Sequence, residues 1–233
     1  MDKFTSGAVK FEKVSKKFGP IVALDEVSFE IEEGEFVFIT GPSGAGKTTI
    51  NQLILREMPP SEGLIKIGDV DLAKISSSKV VQLRRKIGVV FQNFKLLSDR
   101  TVFENVALPL QVVNKAESEI KNEVKEILDL VGLSERAELF PSQLAGGELQ
   151  RVCLARAIIG QPKIILADEP TGNLDPATSW QIVKLLKKIN KMGTTVIMAT
   201  HNVDIVNSLK ARVIRLEKGK VVKIESEGKY EVA

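Results

Sequence analysis

The stretch GPSGAGKT at residues 41–48 restricts this chain more than any other segment. It follows the apolar run EFVFIT and precedes the helical pattern TTINQLILR, so it joins a buried strand to a helix. Gly41, Gly44 and Gly46 let the loop curl until its backbone N–H groups face inward. The start of the following helix adds partial positive charge, which makes the loop a cradle for phosphate. Lys47 is placed to reach the β and γ phosphates of a nucleotide, and the Thr48 hydroxyl to ligate Mg2+. Pro42, Ser43, Ala45 and Thr49 fill out the predicted phosphate-contacting segment.

Such a loop needs carboxylates and water-orienting groups opposite it, and three further strand ends supply them. KIILADEP (163–170) is a buried strand ending in Asp168 and Glu169, at the edge of the sheet where ligands of open α/β folds bind. Asp168 is the candidate Mg2+ holder, and Glu169 the candidate base that orients or deprotonates an attacking water. His201, the one histidine of the chain, follows the strand TTVIMAT and could donate to a γ-phosphate or to the water. Gln92 directly follows the short strand IGVVF, where a neutral amide can contact Mg2+ or water.

Between those strands the texture changes. From Thr101 to about Leu144 the pattern is helical, clearest at Ile120, Val124, Ile127, Leu128 and Val131, with Gly132 as the residue that ends that helix. The stretch PSQLAGGELQR (141–151) then opens another helix on a glycine pair, a second candidate anion site. The last hairpin, 212–225, turns at Lys218-Gly219-Lys220 and is expected at a sheet edge. Strands alternating with helices predict a parallel-rich α/β core with a helical insertion.

Composition excludes several classes. A net charge of +3, with opposite charges interspersed, gives no argument for a nucleic-acid partner. No segment approaches the roughly 20 apolar residues that span a bilayer, and MDKFTSGAVK has no secretory core. Work at a membrane would therefore need another chain as anchor. The single cysteine, Cys153, sits in an apolar run and reads as a buried structural thiol in a reducing compartment.

GPSGAGKT, Gln92, LAGGELQR, ILADEP, GNLD (172–175) and ATH (199–201) occur in the order found in ABC-type ATPases, and the chain resembles that family from residue 9 to about 225. The resemblance implies one ABC ATPase domain over 1–233. Its P-loop NTPase core would span about 1–92 and 160–233, with an N-terminal antiparallel β region and an inserted α-helical subdomain at about 93–159. It implies ATP and Mg2+ as cofactors and an aromatic near the start that stacks on adenine, for which Phe18 is the candidate. It also implies an ATP-dependent homodimer with two-fold symmetry. Ala145, Gly146, Gly147 and Glu148 of one chain, together with Asp175, would then meet the ATP held by the loop of its twin. Ala145 departs from the family pattern, which has serine there. The lost hydroxyl contact to a phosphate is worth roughly 1.5–3 kcal/mol, or roughly ten- to a hundredfold in affinity or rate.

Within the family, LLSDRTVFENVALPL (96–110) is similar to the cell-division branch, the FtsE-type ATPases. That similarity implies an FtsX-like integral membrane partner and, through it, a peptidoglycan hydrolase. It also implies a peripheral position on the cytoplasmic face of the cell membrane. Lipoprotein-release and macrolide-efflux ATPases share LADEPTGNLD and are the alternative reading. A soluble ATPase acting on DNA or ribosomes, and an ATP-gated interaction module with incidental hydrolysis, belong to other classes. Phe94, Leu96, Leu97 and Phe103 are the candidates for contact with the membrane partner, or else for packing inside the helical subdomain.

Overall fold

The computed structural model describes residues 4–228; the ends of the expected domain span, 1–3 and 229–233, lie outside the described residues. The chain opens with two long strands, β1 (Val9–Phe18) and β2 (Ile21–Ile31), before β3 (Phe36–Thr40) leads into the glycine loop and α1 (Lys47–Ile54). Then come β4 (Glu62–Ile67), β5 (Val70–Asp71), α2 (Ser77–Arg85) and β6 (Ile87–Phe91). Three helices follow, α3 (Val102–Val112), α4 (Glu117–Leu130) and α5 (Gly146–Ile158). The remainder alternates: β7 (Ile164–Asp168), α6 (Pro176–Lys191), β8 (Thr195–Ala199), α7 (Val203–Leu209), β9 (Arg212–Glu217) and β10 (Lys220–Glu225).

Among the described residues the strands form two sheets. The first is antiparallel, in the order β2-β1-β4-β5, and accounts for the N-terminal β region. The second runs β10-β9-β3-β8-β7-β6, with parallel pairing throughout except for the β9–β10 hairpin, which closes one edge. Alternation along each strand divides the interior in two. Val37 and Ile39 of β3, with Leu166, Ile197 and Ile214, face α1 and the antiparallel sheet. Phe36 and Phe38, with Ile165, Met198 and Val213, face α5, α6 and α7. Being covered on both sides, these strands read as continuous apolar runs, as parallel strands do.

Helices α3, α4 and α5 share a third apolar cluster, built on Val102, Val106, Val124, Leu128 and Val152. The helical texture of 101–144 resolves into two helices and two single turns. Asn114, with φ 55°, breaks the run, and Lys115 lies outside both helices. Helix α3 starts on a complete capping box. Thr101 Oγ1 accepts from Glu104 N at 3.2 Å and Glu104 Oε2 accepts from Thr101 N at 2.8 Å. Buried Asn105 then ties the incoming loop to this helix, donating to the carbonyls of Leu97, Arg100 and Thr101 and accepting from Leu97 N. Gly132 follows α4 with φ 70°, the left-handed geometry expected of it. Phe94, Leu96 and Phe103 pack against these clusters, which leaves Leu97 as the exposed member of that group.

Candidate functional site

Parallel pairing sets the site. Phe91 is in register with Asp168, and both Asp168 and Ile39 are in register with Ala199. Gln92, Glu169, Thr200-His201 and the start of the glycine loop therefore emerge just beyond one line across the sheet. A cleft of about 710 Å³ lies there, lined by the loop from Pro42 to Thr48 and by Gln92, Asp168, Glu169 and His201. Arg215 and Glu217 of β9 line it as well; neither belongs to a motif, and their address at a parallel strand's carboxyl end was the available signal.

The loop conformation depends on its glycines. Gly41 has φ 146° and sits so close to β9 that a Cβ there would stand 2.2 Å from the Leu216 carbonyl oxygen. Gly44 and Gly46 also have positive φ, at 76° and 106°. Lys47 Nζ donates to the Gly41 and Pro42 carbonyls at 2.7 and 3.1 Å and lies 3.9 Å from Glu169 Oε1. His201 Nδ1 is 2.9 Å from the same carboxylate oxygen. Glu169 itself adopts φ 47°, a costly geometry for a residue with a side chain, and its N–H donates to the Ala199 carbonyl at 2.9 Å. Lysine, carboxylate and imidazole thus share one point.

Thr48 Oγ1 donates to Asp168 Oδ2 at 3.3 Å. Burial holds the Asp168 carboxyl above the usual carboxylate range, with Glu169 adding to the rise and Thr48, Lys47 and Asn51 opposing it. The Asn51 carboxamide is buried with no partner in hydrogen-bond geometry, and Thr40 Oγ1 at the foot of the loop is likewise unpaired. Hard oxygen donors of this kind fit Mg2+, which takes one or two carboxylates together with substrate phosphates. Gln92 also lines the cleft, but its amide engages Asn173: Gln92 Nε2 donates to Asn173 Oδ1 at 3.4 Å and Asn173 Nδ2 donates to the Gln92 carbonyl at 3.3 Å.

Other predicted contacts lie outside this cleft. Ala145, Gly146, Gly147, Glu148 and Asp175 are not among its walls. Phe18 is exposed, with Lys16 Nζ 5.1 Å from its ring centre, and neither does it line the cleft. It does sit at the end of a hairpin whose Leu24 packs on the loop, 2.7 Å from where a Gly46 Cβ would be. The two glycines at 146 and 147 differ. A Cβ on Gly147 would meet Thr178 Cγ2 at 2.3 Å, so packing against α6 requires glycine there. A Cβ on Gly146 would find nothing nearer than Leu174 at 3.6 Å, so nothing inside the chain demands that glycine. Ala145 is the N-cap of α5 and supplies no side-chain cap, while Glu148 Oε2 accepts from Ala145 N at 2.9 Å. That backbone hydrogen bond, with Arg136 at 3.1 Å from the other oxygen, holds the Glu148 carboxyl below its ordinary range. Asp175 caps α6 by accepting from Thr178 N at 3.0 Å, and its contacts with Thr178 lower its pKa.

A larger cavity, about 1070 Å³, lies elsewhere, between the α2–β6 edge of the sheet and helices α3 and α5. Exposed Val81, Arg85, Val112 and Val113 line it.

Residues 24–172 match the family model described as ABC transporter. The chain is similar to the cell division ATP-binding protein FtsE of Bacillus subtilis (strain 168), 52% identical over 223 residues that cover 95% of this chain and 98% of that protein. It is 48% identical to FtsE of Streptococcus pneumoniae serotype 2, over 95% of this chain and 97% of that one. Among solved structures it resembles the ATP-binding cassette MJ0796 in a dimeric post-hydrolysis state bound to ADP and Pi. There the TM-score is 0.85 and the identity 39%, covering 95% of this chain and 100% of that chain.

The environment of Asp168 carries a signed prediction. Its raised pKa means the nucleotide-free fold favours the protonated acid more than the unfolded chain does. The favourable contribution is present below the unfolded pKa, about 3.9, and is lost as pH rises through the folded value. Asp168→Asn is expected to raise the Tm of the nucleotide-free chain at pH 7, with the gain shrinking toward zero near pH 4. Thermal melts across that range check it, and a lowered Tm at pH 7 would contradict it.

Proposed function

The chain belongs to the ABC transporter family, and from that premise we propose that it is the ATP-hydrolysing subunit of an FtsEX-like complex in cell division. The observation that carries this reading is the division of the predicted site. Lys47, Asp168, Glu169 and His201 meet in one cleft, whereas Ala145, Gly146 and Asp175 stand exposed outside it. A two-fold dimer reconciles the two groups, because the outward-facing helix start of one chain would cover the cleft of the other and enclose two ATP molecules. The dimeric form of the related cassette supports this arrangement.

In this mechanism the loop N–H groups and Lys47 hold the β and γ phosphates, releasing Lys47 from the loop carbonyls it now contacts. Glu169 accepts the proton of the attacking water, and His201, hydrogen-bonded to Glu169, orients that carboxylate and reaches toward the γ-phosphate. Thr48 and Asp168 would hold Mg2+, which neutralises charge on the phosphate oxygens. Phe18 would stack on the adenine. ATP thereby joins two chains, and its hydrolysis separates them, a two-state element suited to moving a membrane partner.

No helix among the described residues is long and apolar enough to cross a membrane. Attachment to the cytoplasmic face of the membrane is therefore assigned to the FtsX-like partner, which would in turn act on a peptidoglycan hydrolase. Phe94, Leu96 and Phe103 pack, partly buried, against the apolar clusters, and the partner surface is assigned to the groove between the α2–β6 edge and helices α3 and α5, where exposed valines and Arg85 suit an acidic amphipathic segment.

Three measurements test this reading. Glu169→Gln should bind ATP and form dimers by size exclusion, with turnover reduced at least a hundredfold; turnover at the native rate would remove Glu169 from its role. Ala145→Ser should tighten the ATP-bound dimer or speed turnover by roughly ten- to a hundredfold. As a helix cap the same serine should also stabilise the nucleotide-free chain, by roughly 0.5–2 kcal/mol, so a melt without nucleotide separates the two effects. Val112→Glu should abolish co-purification with the membrane subunit while ATP binding persists, and retained co-purification would exclude the groove.

A further inference from the structure

Directly after Gln92 the backbone takes a conformation that side chains resist. Phe94 and Lys95 have φ values of 53° and 51°, two consecutive non-glycine residues in the left-handed region. A segment held this way needs partners that over-determine it. The side chains that donate to its carbonyls come from a single helix. Arg156 of α5 donates from Nη1 to the Lys95 carbonyl at 2.8 Å and from Nη2 to the Phe94 carbonyl at 3.0 Å. Cys153, one turn earlier on the same helix, donates from Sγ to the Phe94 carbonyl at 3.0 Å. Burial pushes the Cys153 thiol up to about 12, so it stays protonated and remains a donor. The Lys95 ammonium lies 3.8 Å from the centre of the Phe91 ring, on the other side of Gln92.

The far end of α5 makes this arrangement more than local packing. The helix begins at Gly146, ten residues before Arg156, so roughly 15 Å of rigid helix separates the glycine pair from the guanidinium. Gln92, meanwhile, lines the nucleotide cleft and is braced on its other flank by Asn173, two residues before Asp175. One helix thus spans from the outward-facing glycines to the turn that aims Gln92.

We propose that Arg156 is a positioning residue for Gln92: its guanidinium fastens the Phe94–Lys95 turn in the left-handed form and so ties the Gln92 carboxamide to the helix that opens at Ala145-Gly146-Gly147. The proposal rests on the ATPase reading for its consequence, and on hydrogen bonds alone for its structural content. Arginine suits the task because its planar fork serves two carbonyls at once, which an ammonium cannot do in the same geometry.

The test uses the full chain with Arg156→Gln, Arg156→Lys, Gln92→Ala and the double variant Gln92→Ala/Arg156→Gln. Without nucleotide, hydrogen exchange is measured at the amides of Lys95 and Leu97, both of which are hydrogen-bonded. Arg156→Gln should exchange there at least tenfold faster than the native chain, with β7 and α6 unchanged. In ATP turnover, Arg156→Gln should lower kcat at least tenfold with KM within threefold, and the double variant should be no slower than Gln92→Ala alone. Native exchange at both amides, or losses that multiply in the double variant, would overturn the proposal. Should Arg156→Gln fail to fold, Arg156→Lys decides: it should exchange faster than the native chain at both amides, and native exchange would overturn the proposal. A native chain that turns over no ATP would remove the ATPase reading, and the exchange data would still decide the role of Arg156.

Discussion

The parallel register of β6, β7, β8 and β3 is the constraint from which the rest of the molecule follows. Because their paired residues Phe91, Asp168, Ala199 and Ile39 lie on one line, the residue after each strand projects at the same edge. A slip of one residue in any strand would turn its side chains to the opposite face. The two buried faces of the sheet resist such a slip, since Val37 and Ile39 belong to one apolar cluster and Phe36 and Phe38 to the other. The chemistry at that edge opposes the fold locally. Asp168 is desolvated, Glu169 is left-handed, and Thr40 Oγ1 is buried without a hydrogen-bond partner. Apolar packing beneath the edge makes such a concentration of cost tolerable.

Much of this was legible because it is local. The glycine loop, Asp168-Glu169, Gln92 and His201 each sit at a junction of strand and loop, and a five-residue, mostly apolar and mostly buried strand announces the junction. What escaped the sequence has physical reasons. Helix α2 buries only Leu83 of its nine residues, so it carries no apolar stripe. Helix α7 is seven residues long, too short for periodicity to accumulate. Phe94, Leu96 and Phe103 are partly buried because they pack against clusters to which α4, α5 and α6 contribute, contacts with later segments that no local spacing announces. Arg156 lies 61 residues from Lys95 in sequence, and no spacing rule connects them.

Helix α5 is the element whose two ends answer to different surroundings. Its C-terminal half is buried and grips the segment after Gln92. Its N-terminal turn is open to solvent, and the contrast between its glycines is informative. Gly147 has a reason within the chain, the contact with Thr178, whereas Gly146 has none. A residue type that internal packing does not demand fits a close approach from outside, which is how the proposed dimer uses it.

The electrostatics of that turn bear on whether alanine is tolerable at its cap. An anion approaching the start of α5 meets backbone N–H groups and the positive end of the helix dipole, but it also meets the ionised Glu148 carboxylate. That carboxylate is engaged on both oxygens, by Ala145 N and by Arg136 Nε. The guanidinium therefore offsets the charge that would otherwise repel a phosphate. At the same time Glu148 satisfies the Ala145 N–H, half of the work of a capping box, and leaves undone only the half that needs a hydroxyl at position 145. Alanine thus costs this helix start one cap and one candidate phosphate donor, while the backbone geometry that recognises an anion stays in place.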